Sequence, residues 1–283
     1  MRRLARGVRC AGGWIGKIGF QHAEAEVSEA AERVVANKPD LVLTFVTSNA
    51  LVLHRATPTI PIVMISSGYP VEAGIAYSLA RPGKNVTGNS FYAGTEIWGK
   101  LLQLLREVKP NTKRISVLWT YVPPLFPREE IDAAYAELRN AESSLGLTVH
   151  IVEAASSDKV AVALTEIDTE RPDALLITSG LAFSERPTVM RFAVKRRLPT
   201  ITDGVWGAEV QPYHPLLGYG ALWSDLTRTA VNYVDMILKG AKPGDLPIQQ
   251  PARLELAVNL KTASAIGLTV PPSLLTRADR VIE

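Results

Sequence analysis

A two-lobed α/β fold, with a mainly parallel sheet and flanking helices in each lobe, follows from three features of the sequence. Short runs rich in Leu, Val, Ile and Thr alternate with amphipathic stretches, the pattern of parallel strands joined by crossover helices. The chain has 283 residues, 47% of them hydrophobic and 21% charged, which is enough material for two cores. One segment order also recurs. Residues 38–65, KPDLVLTFVTSNALVLHRATPTIPIVMI, and 171–202, RPDALLITSGLAFSERPTVMRFAVKRRLPTIT, each open with a basic residue, Pro and Asp. In both, an apolar strand, a Thr-Ser pair, a helix, a Pro turn and a second strand follow.

Taken in order, GKIGF (16–20) is a short strand candidate. Residues 24–37 favour a helix with Ala30, Val34 and Val35 on its apolar face. LVLTF (41–45) is a strand, 49–56 a short helix and IVMI (62–65) a buried strand. SSGYPVEAG (66–74) is a loop opened by Gly and Pro. Leu101, Leu102, Leu104, Leu105 and Val108 mark a helix over 97–108. Then come strand 115–120, helix 128–145, strand 147–152, helix 158–168, strand 174–178, helix 186–197 and strand 198–202. GYG (218–220), helix 224–239, strand 254–260 and a short helix (261–266) complete the pattern, and Asn85-Val86-Thr87 reads as a turn.

The end of the strand LVLTF poses the functional question. Thr47, Ser48 and Asn49 stand in a row where an apolar strand gives way to a helix. Such residues cap helices. They also suit a ligand site, because open α/β sheets bind small molecules beyond the carboxyl ends of their strands. A matching Thr-Ser pair in the second repeat places two polar strand ends at equivalent points of two lobes, facing one cleft. Capping and ligand contact can share these residues, so both readings stand. The repeat also exposes a shortfall. The second lobe spends Ile115 to Leu147 on a strand and a helix before its next strand, whereas fifteen residues rich in Arg and Gly precede GKIGF. The first lobe is therefore expected to lack an opening strand–helix unit. No apolar core follows MRRLARGVR, so it does not read as a signal peptide.

Several function classes lose support. Net charge is +3 with no Lys/Arg cluster, which gives no sign of a nucleic-acid partner. The single cysteine, Cys10, excludes an intrachain disulfide. The four histidines, His22, His54, His150 and His214, form no metal-ligand spacing. No nucleophile elbow, phosphate loop or dinucleotide fingerprint is present. Neither metal nor cofactor is expected, and an enzyme is the weaker reading.

RPGKNVTGNSF (81–91), GYGALWSDLTR (218–228), the segment 59–83 and above all 238–283 closely resemble the ABC transporter substrate-binding family typified by the tryptophan-binding TrpX-like proteins. The resemblance runs from about Gly16 to Glu283. It implies a type I periplasmic-binding fold, an extracytoplasmic or periplasmic setting, a monomer, and delivery of a small solute, often an aromatic or other amino acid, to a membrane permease. It also implies three crossings between lobes, near 87–91, 217–221 and 254–259. The lobes would be 1–89 plus 222–250 and 90–221 plus 251–283, with Gly88, Gly218 and Gly220 as hinge candidates. Hinge closure would then bring Thr47, Ser48, Asn49, Ser66 and Ser67 against Thr120, Tyr121, Ser179, Gly180 and Asp203, with Ser90 and Tyr92 just past the first crossing. In this reading hydroxyls and backbone N–H groups hold a carboxylate. Asp203 either pairs with an ammonium or forms a turn, Tyr219 stacks or packs, and Trp206 is a further stacking candidate. A ligand-sensing protein on the same fold and a truncated product without transport activity are the alternatives.

Overall fold

The computed structural model describes residues 24–92, 97–120, 128–178, 185–205 and 214–283. Along the chain the elements are α1 (Glu24–Ala36), β1 (Val42–Thr44), α2 (Thr47–Ala56), β2 (Ile62–Met64), β3 (Val86–Gly88), α3 (Ile97–Val108), β4 (Arg114–Trp119), α4 (Arg128–Leu145), β5 (Thr148–Glu153), α5 (Ser157–Thr169), β6 (Ala174–Ile177), α6 (Arg186–Lys195), β7 (Thr200–Thr202), β8 (Leu217–Gly220), α7 (Trp223–Leu238), β9 (Glu255–Asn259), α8 (Leu260–Ile266), α9 (Pro272–Arg277) and β10 (Arg280–Ile282). They fall into two compact units. One comprises the described residues of Met1–Phe91, Pro124–Glu130 and Ser224–Pro251; the other comprises those of Tyr92–Pro123, Ile131–Trp223 and Ala252–Glu283.

The first unit holds a parallel three-stranded sheet, β1-β2-β3, with Val42 opposite Ile62 and Ile62 opposite Val86. Its core gathers Ala50, Leu53, Ile62, Met64, Ile75 and Val86, all buried. The second unit holds a seven-stranded sheet in the order β10-β9-β8-β7-β6-β4-β5. Only its β8–β9 pair is antiparallel, so both sheets are mainly parallel, as expected. The α3 leucines Leu101, Leu102, Leu104 and Leu105 are all essentially inaccessible, so the apolar positions that mark this helix in the sequence are its buried face.

The repeated basic-Pro-Asp triplet has a mechanical role. Lys38 and Arg171 both adopt φ 47, ending α1 and α5 in the left-handed conformation without glycine. Proline then forbids further helix, and a strand starts. The equivalence extends to hydrogen bonds. The N–H of Val42 donates to the Pro61 carbonyl, and the N–H of Leu175 donates to that of Pro199. Asp173 adds a clasp of its own, accepting from the backbone N–H groups of Lys113 and Arg114 at 2.9 Å each.

Three elements depart from expectation. Val86–Gly88 is a strand rather than a turn, and α9 and β10 follow the last expected helix. Each is short, and the two strands exist through pairing with distant partners, β2 and β9, rather than through a local pattern. The GKIGF strand, and with it the expected shortfall in the first sheet, concerns residues outside those described. The proposed hinge glycines lie inside strands, Gly88 in β3 and both Gly218 and Gly220 in β8, rather than in loose turns. Gly88 has φ +132, and a Cβ there would stand 2.1 Å from the Met64 carbonyl oxygen. The β2–β3 contact therefore requires glycine. Gly88→Ala is expected to destabilise the first unit by about 3 kcal/mol or more, through backbone strain and overpacking together. Urea unfolding followed by circular dichroism measures the loss, and an unchanged midpoint would refute the packing argument.

Candidate functional site

The polar end of β1 is built around an unusual backbone. Val46, a β-branched residue, has φ 57 and ψ 151. That region is populated almost only by glycine and costs about 1–3 kcal/mol. Val46 occupies the cap position of α2 and makes no side-chain cap bond. Thr47, Ser48 and Asn49 are thus the first three residues of the helix rather than its cap, which corrects one of the two readings of this stretch. The reason is the left-handed turn at Val46, after which Thr47 and Ser48 are buried.

Once inside, Thr47 organises several of the expected residues. Its Oγ1 accepts from the Gly68 N–H at 3.0 Å and lies 3.0 Å from Ser67 Oγ. Ser90 Oγ donates to the Gly68 carbonyl at 3.0 Å, and the Phe91 N–H donates to the Ser67 carbonyl. Ser66 is buried beside Ser67. Ser48 Oγ and Asn49 Oδ1, by contrast, are buried atoms with no hydrogen-bond partner. Such atoms are scarce in folded proteins and each calls for an explanation.

Glu130, in the first turn of α4, joins the same cluster and was not anticipated from the sequence. In REEIDAAY it reads like Glu129, a solvated acid favoured at a helix start. The structure buries it, with 5% of its surface exposed. Its carboxyl is pushed up to about 7. Loss of hydration is the main cause and the nearby Glu72 carboxylate adds to it, while hydrogen bonds from Thr47 and the Tyr69 backbone work the other way. One oxygen, Oε1, fills the space beside Gly68, where a Cβ would meet it at 1.6 Å. The other, Oε2, has no hydrogen-bond partner. Proton accounting fixes the directions around an ionised Glu130. Thr47 Oγ1 uses its lone pairs on Gly68 N–H and Ser67 O–H, which frees its single proton for the Glu130 carboxylate.

In the second unit, Tyr92 and Asp203 come together. Asp203 is fully buried, and its Oδ2 accepts from the Tyr92 hydroxyl at 3.2 Å. The Tyr92 ring begins a run of aromatic contacts, 5.5 Å to Trp98, 5.1 Å from Trp98 to Trp119 and 5.0 Å from Trp119 to Tyr135. Trp98 and Trp119 are essentially inaccessible, so the run anchors Tyr92 to the core. Thr120 is committed elsewhere. Its N–H donates to Thr178 Oγ1 at 2.8 Å, tying the ends of β4 and β6 together. Tyr219 stands opposite Leu256 in the β8–β9 pair. Burial raises the pKa of its phenol, and the Asp279 carboxylate raises it further. Tyr121, Ser179, Gly180 and Trp206 lie outside the described residues. Among the described residues no group of three His, Cys, Asp or Glu side chains is placed to hold a metal. No helix there is long and apolar enough to cross a membrane.

Known proteins resemble this chain in sequence and in fold. A family model described as ABC transporter substrate binding protein matches residues 13–282. A tyrosine-binding protein of Clostridioides difficile (strain R20291) is 28% identical over 260 residues, covering 89% of this chain and 71% of that protein. The ABC domain solved in complex with L-Trp from Streptococcus pneumonia superposes with a TM-score of 0.80 at 26% identity, over 92% of this chain and 84% of the other. A conserved domain protein from Vibrio cholerae gives the same TM-score, identity and coverage.

Two consequences of the geometry are measurable. The folded state holds the Glu130 proton more tightly than the unfolded chain. Its contribution to stability is therefore complete below pH 4.5, fades as pH rises and is gone above about 7. Across that window wild type should lose up to about 3 kcal/mol more than Glu130→Gln, which has no such titration. Urea melts of both proteins from about pH 4.5 to 8 give the difference, and parallel profiles would contradict the burial. Val46→Gly, a change that ordinarily weakens a helix start, should instead leave stability unchanged or raise it by about 1 kcal/mol, because the strained φ is relieved.

Proposed function

The chain belongs to the ABC transporter substrate-binding protein family, and from that premise we propose that it binds a small amino-acid-like solute, aromatic in the narrower form, for delivery to a membrane permease. The observation that carries this reading is the polar end of β1, where a strained turn buries Thr47 and Ser48 at the start of α2. A helix start offers unbonded N–H groups and a favourable dipole to an anion. Thr47, Ser66, Ser67 and Ser90 supply hydroxyls beside it; the unspent Ser48 Oγ can donate to a carboxylate, while the unspent Asn49 Oδ1 can accept from a solute N–H or O–H. A solute carboxylate suits this wall. Asp203, buried and held by Tyr92, supplies the opposite charge for an ammonium. Thr120, Tyr121, Ser179, Gly180 and Tyr219 complete the proposed set of contacts.

The relatives favour the aromatic class by what they are named for or solved with, tyrosine in one and L-Trp in the other. The extracytoplasmic setting, the permease partner, action as a monomer and the absence of any chemical step belong to the same proposal. So do the lobe limits 1–89 plus 222–250 and 90–221 plus 251–283.

Titration of tyrosine and tryptophan, read by calorimetry and by melting temperature, tests the reading. At about 100 times the dissociation constant the solute should add about 2.7 kcal/mol of stability. Thr47→Val with Ser48→Ala should weaken binding at least about tenfold, roughly the loss of one charge-assisted hydrogen bond. Asp203→Asn should weaken binding of the amino acid while sparing its des-amino analogue. Unchanged affinity in the Thr47/Ser48 double variant would remove the carboxylate wall from the site.

A further inference from the structure

The first unit already holds a carboxylate where the solute's is expected. We infer that Glu130 is an internal occupant of the Thr47–Gly68–Tyr69 cradle, which a solute carboxylate must displace, so that this residue sets the affinity of the site. The inference rests on the amino-acid reading above, and it is carried by the way Glu130 fits.

The donors that meet Glu130 are the Thr47 hydroxyl, at the first turn of a ten-residue helix, and the Tyr69 backbone. These are the kinds of groups that suit a ligand carboxylate. Gly68 contributes by having no side chain, since Oε1 fills the space a Cβ would take. Yet the fit is incomplete. Oε2 of Glu130 and Oγ of Ser48, the residue after Thr47, are both buried without partners, so one acceptor and one donor are left unspent. Glu130 makes no ion pair among the described residues, and the charged group that acts on it there is another acid, Glu72. A buried carboxylate kept for stability is ordinarily paired and fully bonded. This one is held by half of its bonding capacity, beside a like charge. On release it regains full hydration, so exchange with an external carboxylate that also engages Ser48 costs little.

An occupant of this kind lowers apparent affinity by the fraction of molecules in which the cradle is free. If the cradle is free in about a tenth of molecules, removing the side chain tightens binding about tenfold.

The experiment uses the full chain in two parts. In the first, melting temperatures of wild type and Glu130→Ala are compared in sodium acetate and in sodium chloride at equal ionic strength. Acetate should raise the melting temperature of Glu130→Ala at about a tenth of the concentration that wild type requires, and adding Thr47→Val should abolish the response. In the second, tyrosine and tryptophan affinities are measured, and Glu130→Ala should bind about tenfold more tightly than wild type. Glu130→Ser is the independent variant. Its side chain is too short to reach the space beside Gly68 that Oε1 fills, so it too should bind the amino acid more tightly. It carries the test if Glu130→Ala does not fold.

Absence of an acetate response in Glu130→Ala would overturn the inference. So would weaker amino-acid binding in either variant, because Glu130 would then be a direct contact for the solute. If acetate stabilises Glu130→Ala but neither amino acid binds any of the proteins, the internal occupant stands and the amino-acid reading falls.

Discussion

The polar end of the first unit depends on one atom, Thr47 Oγ1. It receives the Gly68 N–H, meets Ser67 Oγ and passes its own proton toward Glu130. The loop after β2 is thereby fixed against the start of α2, and Ser90 locks the same loop through the Gly68 carbonyl. None of this is possible with Thr47 pointing to solvent as a helix cap. The left-handed backbone at Val46 prevents that by turning the residue inward. Strain at one position is thus exchanged for a buried, directional set of hydroxyls. Backbone strain of this kind persists only where surrounding structure over-determines it. Here the surroundings are the β1–β2 pairing on one side and the Thr47 contacts on the other.

In the second unit a related problem is solved with no positive φ at Tyr92 or Asp203. Asp203 follows β7, is wholly buried and takes the Tyr92 hydroxyl. Tyr92 is in turn held by the aromatic run that ends at Tyr135, whose hydroxyl donates to Glu153 at 2.7 Å. Rigid aromatic packing fixes the position of a polar group that must not wander. In the first unit the same job is done by a glycine, two serines and a threonine. The two polar ends therefore differ in stiffness. One is a bonded cluster in which a single side chain can swing away, and the other is a core-anchored pair.

What was legible in the sequence follows the range of the physics. Alternating apolar runs and helical periodicity are local, and α3 and α4 match them at both ends. The basic-Pro-Asp triplet is also local, a helix stop followed by a strand start, and it marked two repeats whose hydrogen bonds agree. The Thr-Ser pairs were less equivalent than they looked. Counted from the shared Pro-Asp, Thr178 stands level with Phe45, and it joins β4 to β6 whereas Thr47 starts a helix. The short strands β3 and β10 stayed hidden because pairing partners far along the chain create them. Glu130 stayed hidden because burial of a carboxylate in the first turn of a helix leaves no mark distinguishing it from Glu129.

That concealment has a physical basis which also separates structural from functional acids. A carboxylate selected for stability brings its partners with it, and these are visible as a nearby Arg or Lys at suitable spacing or as a cluster of donors. Asp173 fits that description, with two backbone N–H groups on one oxygen and Lys109 donating to its carbonyl. Glu130 does not. It is buried more deeply than Asp173, has an acid beside it rather than Lys109 and Arg114, and carries a pKa displaced upward where that of Asp173 is displaced downward against the effect of its own partial burial. Opposite shifts in two acids of one chain report opposite balances between desolvation and bonding. An acid on the losing side of that balance destabilises the state that buries it. For Glu130 that cost is what the inferred exchange would relieve, since leaving the buried position restores the hydration of the carboxylate. The polar atoms left over around Thr47 and Ser48 are in this view the unfilled half of an exchange, with Glu130 holding the place of the molecule that completes it.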